Sequence, residues 1–191
     1  MKNLDTSLFC VEIASLAHGY RVLNSLTASP AVRVLDASPA GQRFLIITLG
    51  PADEIRSAAQ NARALFEGDA GVSLDSEVTD GIVPQVLEAL FSLPQQPLEE
   101  SLIIVESATV CGLVAIAQQL CGPHGLKPIE LKIHRASDGR GYGFFTGPKE
   151  KCIPAALDAE TRLKSADRHG RIELIEEPNA GFRTFFNLSG N

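Results

Sequence analysis

The sequence predicts an α+β protein made of two tandem copies of one β-α-β-β-α-β unit, helices packed against a mostly antiparallel sheet. Three observations carry this. Segments return in the same order one period later, and each period alternates short apolar runs with helical spacings. Aromatic residues are only 6% of the chain and Trp is absent, so the core has to be built from Leu, Ile, Val and Ala in closely packed layers.

The repeat is read directly. Ser7-Leu8-Phe9-Cys10-Val11-Glu12 returns 94 residues later as Ser101-Leu102-Ile103-Ile104-Val105-Glu106. Gly50-Pro51 returns as Gly147-Pro148, now 97 residues on, so the second copy has gained three residues, as surface loops tolerate. At that same offset Ala58-Ala59-x-x-Ala62 matches Ala155-Ala156-x-x-Ala159, and Arg43 matches Arg140. A period this long is no solenoid; it indicates two domains of one fold, expected at 1–93 and 98–191 with a linker over 92–97.

The elements follow in order. Short apolar runs at 8–13 and 102–105 read as first strands buried on both sides. A helix comes next, with Leu16, Gly19, Tyr20, Leu23 and Leu26 spaced along one face in the first copy. Val110, Leu113, Val114, Ala117, Leu120 and Cys121 do the same in the second, with Ser15 and Thr109 as N-caps. Pro30 and Gly122-Pro123 stop these helices. Hairpins are expected from 32–35 with 44–49 and from 129–133 with 142–146, joined by loops at 36–42 and 134–139 that are rich in small and turn-forming residues. Pro51 and Pro148 suit the first position of a second helix, which buries Ile55, Ala58, Ala59, Ala62, Leu65 and Phe66 in one copy and Cys152, Ala155, Ala156, Ala159 and Leu163 in the other. Pro154 is expected to delay or kink the latter. Strands at 72–78 and 171–175 close the units, and 83–91 forms a short helix after the first. This is the split, ferredoxin-like order.

Composition narrows the function. The 191 residues carry a net charge of −6 with no run of Lys or Arg, which argues against a nucleic-acid partner. No apolar run nears the ~18 residues of a membrane span, and residues 1–7 hold one lysine and no apolar signal core, so a soluble cytoplasmic protein is expected. The cysteines Cys10, Cys111, Cys121 and Cys152 are far apart in apolar stretches, which predicts reduced, buried thiols.

Chemistry is sparse. Cys121-x-x-His124 has no second pair, so a helix end explains it better than a metal, and no metal site is expected. No nucleophile frame surrounds a serine or cysteine, so no catalytic residue is assigned and an enzyme is not expected. Gly139-Arg140-Gly141-Tyr142-Gly143 lies inside a hairpin, so it is not a dinucleotide fingerprint and its glycines serve a tight loop or close backbone approach. Glu12 and Glu106 stand at equivalent strand ends, which fits a hydrogen bond orienting a neighbouring loop.

Val11-Glu12 before a small-residue helix, a hairpin with a Ser/Gly/Pro loop, Gly-Pro before an Ala-rich helix and a closing strand together resemble the bacterial microcompartment (BMC) shell domain. Two copies in one chain resemble its tandem-domain class over nearly the whole length. The resemblance implies a homotrimer whose six domains form a pseudohexameric tile around a central pore, meeting other shell proteins around encapsulated enzymes inside a microcompartment. By position the pore would be lined by Ser38, Pro39, Ala40 and Gly41 and by Ala136, Ser137, Asp138 and Gly139. Arg43, Arg135 and Arg140 would stand at its rim, either facing the channel and favouring anionic metabolites or paired with carboxylates such as Asp36 and Asp138.

Two departures matter. Propanediol-type members of the class hold an iron–sulfur cluster on a pore-loop cysteine; here that place falls near Ala40 and neither loop has a cysteine, so no cofactor is expected. The lysine that usually contacts the next tile is replaced by Thr27 and Cys121, which sets flat tiling in question. Pro178-Asn179 is similar to a worn form of the class's proline-histidine ending. The alternative reading is a tandem ferredoxin-like regulatory module that binds a small-molecule effector.

Overall fold

The computed structural model describes residues 6–69, 71–91, 96–136, 139–166 and 168–189. Its contacts gather into two units. The first runs through Ile82 and takes in Thr109–Cys111 and Ile133–Arg140; the second takes Val83–Ala108, Gly112–Lys132 and the chain from Gly141 onward.

In the first unit the elements are β1 (Thr6–Ile13), α1 (Leu16–Leu26), β2 (Arg33–Ala40), β3 (Arg43–Pro51), α2 (Ala52–Ala64) and β4 (Leu74–Thr79). The sheet order is β2-β3-β1-β4, antiparallel throughout, with Leu8 opposite Leu49 and Glu12 flanked by Leu45 and Asp75. Phe9, Val11, Ile13, Phe44 and Ile46 form the face that packs against Val22 and Leu26 of α1 and Ile55, Ala58, Ala59 and Ala62 of α2. Leu8, Cys10 and Glu12, which alternate with them along β1, are equally inaccessible, so both faces of β1 are buried as its apolar run predicts.

Three local expectations change. The buried stripe of α1 is Gly19, Val22 and Leu26, while Leu16 and Tyr20 are 55% and 58% exposed; Gly19 faces the sheet because a Cβ there would come within 2.4–2.6 Å of the Phe44 side chain. The stretch expected to loop from Asp36 is strand as far as Ala40. A bulge between Val34 and Asp36 resets the register, and pairing then continues through Pro39↔Phe44 and Ala40↔Arg43. Pro39 is tolerated because β2 is an edge strand with no outer partner in this sheet. Pro51 is the N-cap of α2, one position before the first helical residue.

The second unit holds α3 (Pro84–Phe91), β5 (Ser101–Ser107), most of α4 (Val110–Cys121), β6 (Lys127–Ile133), β7 (Gly141–Gly147), α5 (Lys149–Ser165), β8 (Gly170–Ile175) and α6 (Ala180–Ser189). Its sheet order, β6-β7-β5-β8, reproduces that of the first unit element for element. The linker expected at 92–97 lies outside the described residues over 92–95. α5 runs without interruption through Pro154 and buries the five residues expected of it; Pro148, like Pro51, is the N-cap. α6 has no counterpart in the expectation. Asn179 caps it, accepting from the Phe182 N–H at 2.9 Å, and the Arg183 guanidinium ties it down by donating to the carbonyls of Pro178, Glu99 and Glu100.

Candidate functional site

The two hairpins meet at their tips within the first unit. Because β2 and β3 stay paired to Ala40 and Arg43, the chain reverses on Gly41 and Gln42 alone, with Gly41 at φ 63° in the left-handed region. The Gly41 N–H donates to the Arg135 carbonyl at 2.8 Å. Gly139, at φ 73°, lies so close to the first hairpin that a Cβ would stand 2.6 Å from the Ala40 carbonyl oxygen. Both demands, a positive φ and backbone approach, are met only by glycine. The second tip is closed by His134 and Gly139: the Gly139 N–H donates to the His134 carbonyl at 3.1 Å, and the His134 N–H to the Arg140 carbonyl at 2.8 Å.

Of the residues singled out from the sequence, Ser38, Ala40, Gly41, Arg135 and Gly139 are thus brought together. Pro39 and Ala136 are exposed, and Ser137 and Asp138 lie outside the described residues. The Arg135 guanidinium donates to Ser38 Oγ and to the Asp36 carboxylate, and Ser38 Oγ itself donates to Asp36 at 3.0 Å. Arg43 reaches to 3.9 Å from Glu12, and Arg140 is exposed. Arg135 and Arg43 therefore lean on carboxylates, while Asp138, the carboxylate expected beside Arg140, lies outside the described residues.

Beneath Arg43, Glu12 is 1% exposed. Its Oε2 accepts from the Cys111 backbone N–H at 3.0 Å, so it holds the first turn of α4 against β1, the loop-orienting role its position suggests. Burial pushes the Glu12 carboxyl up to about 7; the Cys111 N–H and Arg43 oppose this, and Asp75, directly across the strand pair, reinforces it. Glu106, its counterpart in the repeat, is exposed and has Arg171 opposite in place of Asp75. The duplicated motif thus hides a difference of environment that only the cross-strand partner reveals.

Around Glu12 lie Asp75 and two thiols. The Cys111 thiol lies 3.3 Å from Cys10 Sγ and 3.6 Å from the Asp75 backbone carbonyl, either of which can accept its single proton. All four cysteines are free and buried, and burial raises the Cys111 thiol well above its ordinary range. Nothing in the spacing of residues 10, 12, 75 and 111 signals this cluster; strand register and the docking of a helix start bring them together. Cys121-x-x-His124 is a helix end, with α4 stopping at Cys121 and the His124 ring 2.9 Å from Asp158.

No protein-family model matches the chain. Among solved structures, a microcompartments protein from Desulfitobacterium hafniense superposes with a TM-score of 0.76 at 18% identity, covering 94% of this chain and 99% of that one. The fold is therefore that of this microcompartment protein across both repeats. A protein of unknown function from Galdieria sulphuraria (TM-score 0.30, 17% identity, 91% and 99% covered) and the aspartokinase alpha and beta subunits (TM-score 0.30, 10% identity, 82% and 93% covered) are far more distant in shape. No helix among the described residues is long and apolar enough to cross a membrane.

Proposed function

We propose that this chain is a shell component of a bacterial microcompartment, three copies of which close a pseudohexameric tile around a small central opening. The reading assigns it a structural and gating role without catalysis, beside other shell proteins and the enzymes they enclose. The observation that carries it is the meeting of the hairpin tips, Gly41 on Arg135 and Gly139 on Ala40: equivalent turns from both repeats lie side by side, as alternating members of a six-lobed ring must. A glycine at each turn, Gly41 and Gly139, lets the backbones approach closely near an axis. The fold shared with the Desulfitobacterium hafniense protein supports the same reading.

Arg135 is neutralised by Asp36 and steadied by Ser38, so its charge does not set selectivity; the opening is polar rather than strongly cationic on this account. At the usual tile-edge positions Thr27 caps α1 through its hydroxyl, and Cys121 is buried, so neither presents a cation to a neighbouring tile. We therefore place the trimer as a specialised component rather than the main flat facet.

Multi-angle light scattering of the purified chain tests this. A mass of three chains, held across dilution, supports the proposal. A monomer or dimer that shifts on adding a small effector would overturn it in favour of a regulatory module.

A further inference from the structure

We infer that Glu12, Asp75 and Cys111 bind a divalent metal ion of the zinc class, with Cys10 as hydrogen-bond partner of the ligating sulfur. The inference concerns the interior of one unit and is independent of how chains assemble.

One ligand atom from each of the three residues lies within 4.8 Å of the other two. Zinc binds sulfur at about 2.3 Å and carboxylate oxygen at about 2.0–2.2 Å, so donors on a shared ion stand within ~4.5 Å of one another. Small side-chain adjustments close the three onto one ion. Each donor rides on a rigid element: Glu12 on β1, Asp75 directly opposite on β4, and Cys111 in the first turn of α4.

The electrostatics point the same way. Two carboxyl groups face each other across a strand pair, a like-charge arrangement that a cation between them would stabilise. Glu12 is 1% exposed, yet its Oε1 has no hydrogen-bond partner among the described residues, and Arg43 at 3.9 Å is beyond hydrogen-bond reach. Three anionic donors with the Arg43 guanidinium alongside balance a divalent ion. The donor set, one thiolate with two carboxylates, suits zinc over the purely oxygen-loving magnesium or calcium.

Binding releases the Cys111 proton to solvent, and the Cys10 thiol, 3.3 Å away as the acceptor before binding, turns to donate to the bound sulfur. Asp75 is half-buried on an edge strand and provides the way in from solvent.

The test uses the full chain, stripped with chelator under a phosphine reductant and titrated with Co(II), whose bonds to thiolate give a near-ultraviolet charge-transfer band. One Co(II) per chain with that band, displaced by Zn(II), is expected. Cys111→Ser abolishes the band, Glu12→Gln weakens binding about tenfold or more, and Cys10→Ser keeps the band while weakening binding on a similar scale. Cys121→Ser changes nothing. Since Cys111→Ser could fail to fold, X-ray absorption of the Zn-loaded wild type gives a second reading. A shell of one sulfur with oxygens supports the site; a shell without sulfur, or with several, overturns it. Absence of the Co(II) band, or its survival in folded Cys111→Ser, would likewise overturn the inference.

Discussion

The Cys111 backbone N–H donates to Glu12 Oε2 at 3.0 Å, and both residues are almost wholly buried. One carboxylate from the first strand thereby terminates an unsatisfied N–H at the start of a helix that lies 99 residues further along the chain. Its consequences can be separated by size and by chemistry.

Glu12→Ala leaves the Cys111 N–H buried without an acceptor, which costs about 1–3 kcal/mol. Glu12→Gln retains an acceptor oxygen and costs less. Urea denaturation of chelator-treated protein at fixed concentration checks this: the Ala variant has the lower midpoint. Equal midpoints would show that the hydrogen bond contributes nothing.

Gly139→Ala meets two obstacles, a left-handed φ and the Ala40 carbonyl at 2.6 Å, whereas Gly125→Ala meets only a φ of 64° with nothing within 4 Å. The strain of a left-handed residue is roughly 1–2 kcal/mol, and the Gly139 variant adds displacement of the neighbouring hairpin. Thermal unfolding is expected to rank Gly139→Ala clearly below Gly125→Ala.

The thiols titrate late. Burial pushes Cys121 up to about 12 and Cys152 up to about 11, from an ordinary 9.0. A raised thiol value leaves less thiolate at any given pH, about a hundredfold less for Cys152, so alkylation of the folded protein at pH 8 is slow and accelerates only in strong alkali. Mass spectrometry after iodoacetamide treatment checks it: no rapid modification of these two while folded, and four modified cysteines in urea.

How much of this was legible in the sequence depends on the range of the interactions involved. The repeat of 7–12 at 101–106 foretold two sheets of one order, because short apolar runs and Gly-Pro junctions are local signals. Asp36, Ser38 and Pro39 are turn residues by type, and only their pairing with β3 on a sheet edge makes them strand rather than loop. In α1, spacing placed Gly19 and Leu26 inward, as they are, but also selected the exposed Leu16 and Tyr20 and passed over the buried Val22; the close approach of Phe44 to Gly19 fixes which stripe faces the sheet. The one local signal for α6 is Asn179, whose side chain caps its first turn. The contrast between Glu12 and Glu106 was beyond reach, since it lies in Asp75 against Arg171 across the strand.

The Asp36–Arg135 pair is a partly exposed ion pair, its arginine side chain 41% accessible, so Arg135→Ala costs no more than about 1 kcal/mol. The variant is expected to keep its oligomeric state, because the Gly41 N–H bond between the tips uses the Arg135 carbonyl, which alanine also carries, and only the exposed guanidinium bonds to Ser38 and Asp36 are lost. Light scattering and thermal unfolding in low and high salt check both points. Dissociation would assign the side chain an assembly role.

The central claim, three chains arranged with their hairpin tips around one axis, is tested most directly by a nitroxide at the exposed turn residue Gln42, introduced as Gln42→Cys and read by double electron–electron resonance. The four native cysteines are buried and stay unlabelled. The account predicts a single short distance with the modulation depth of three coupled spins. Uncoupled spins, or a two-spin signal at long distance, would contradict it.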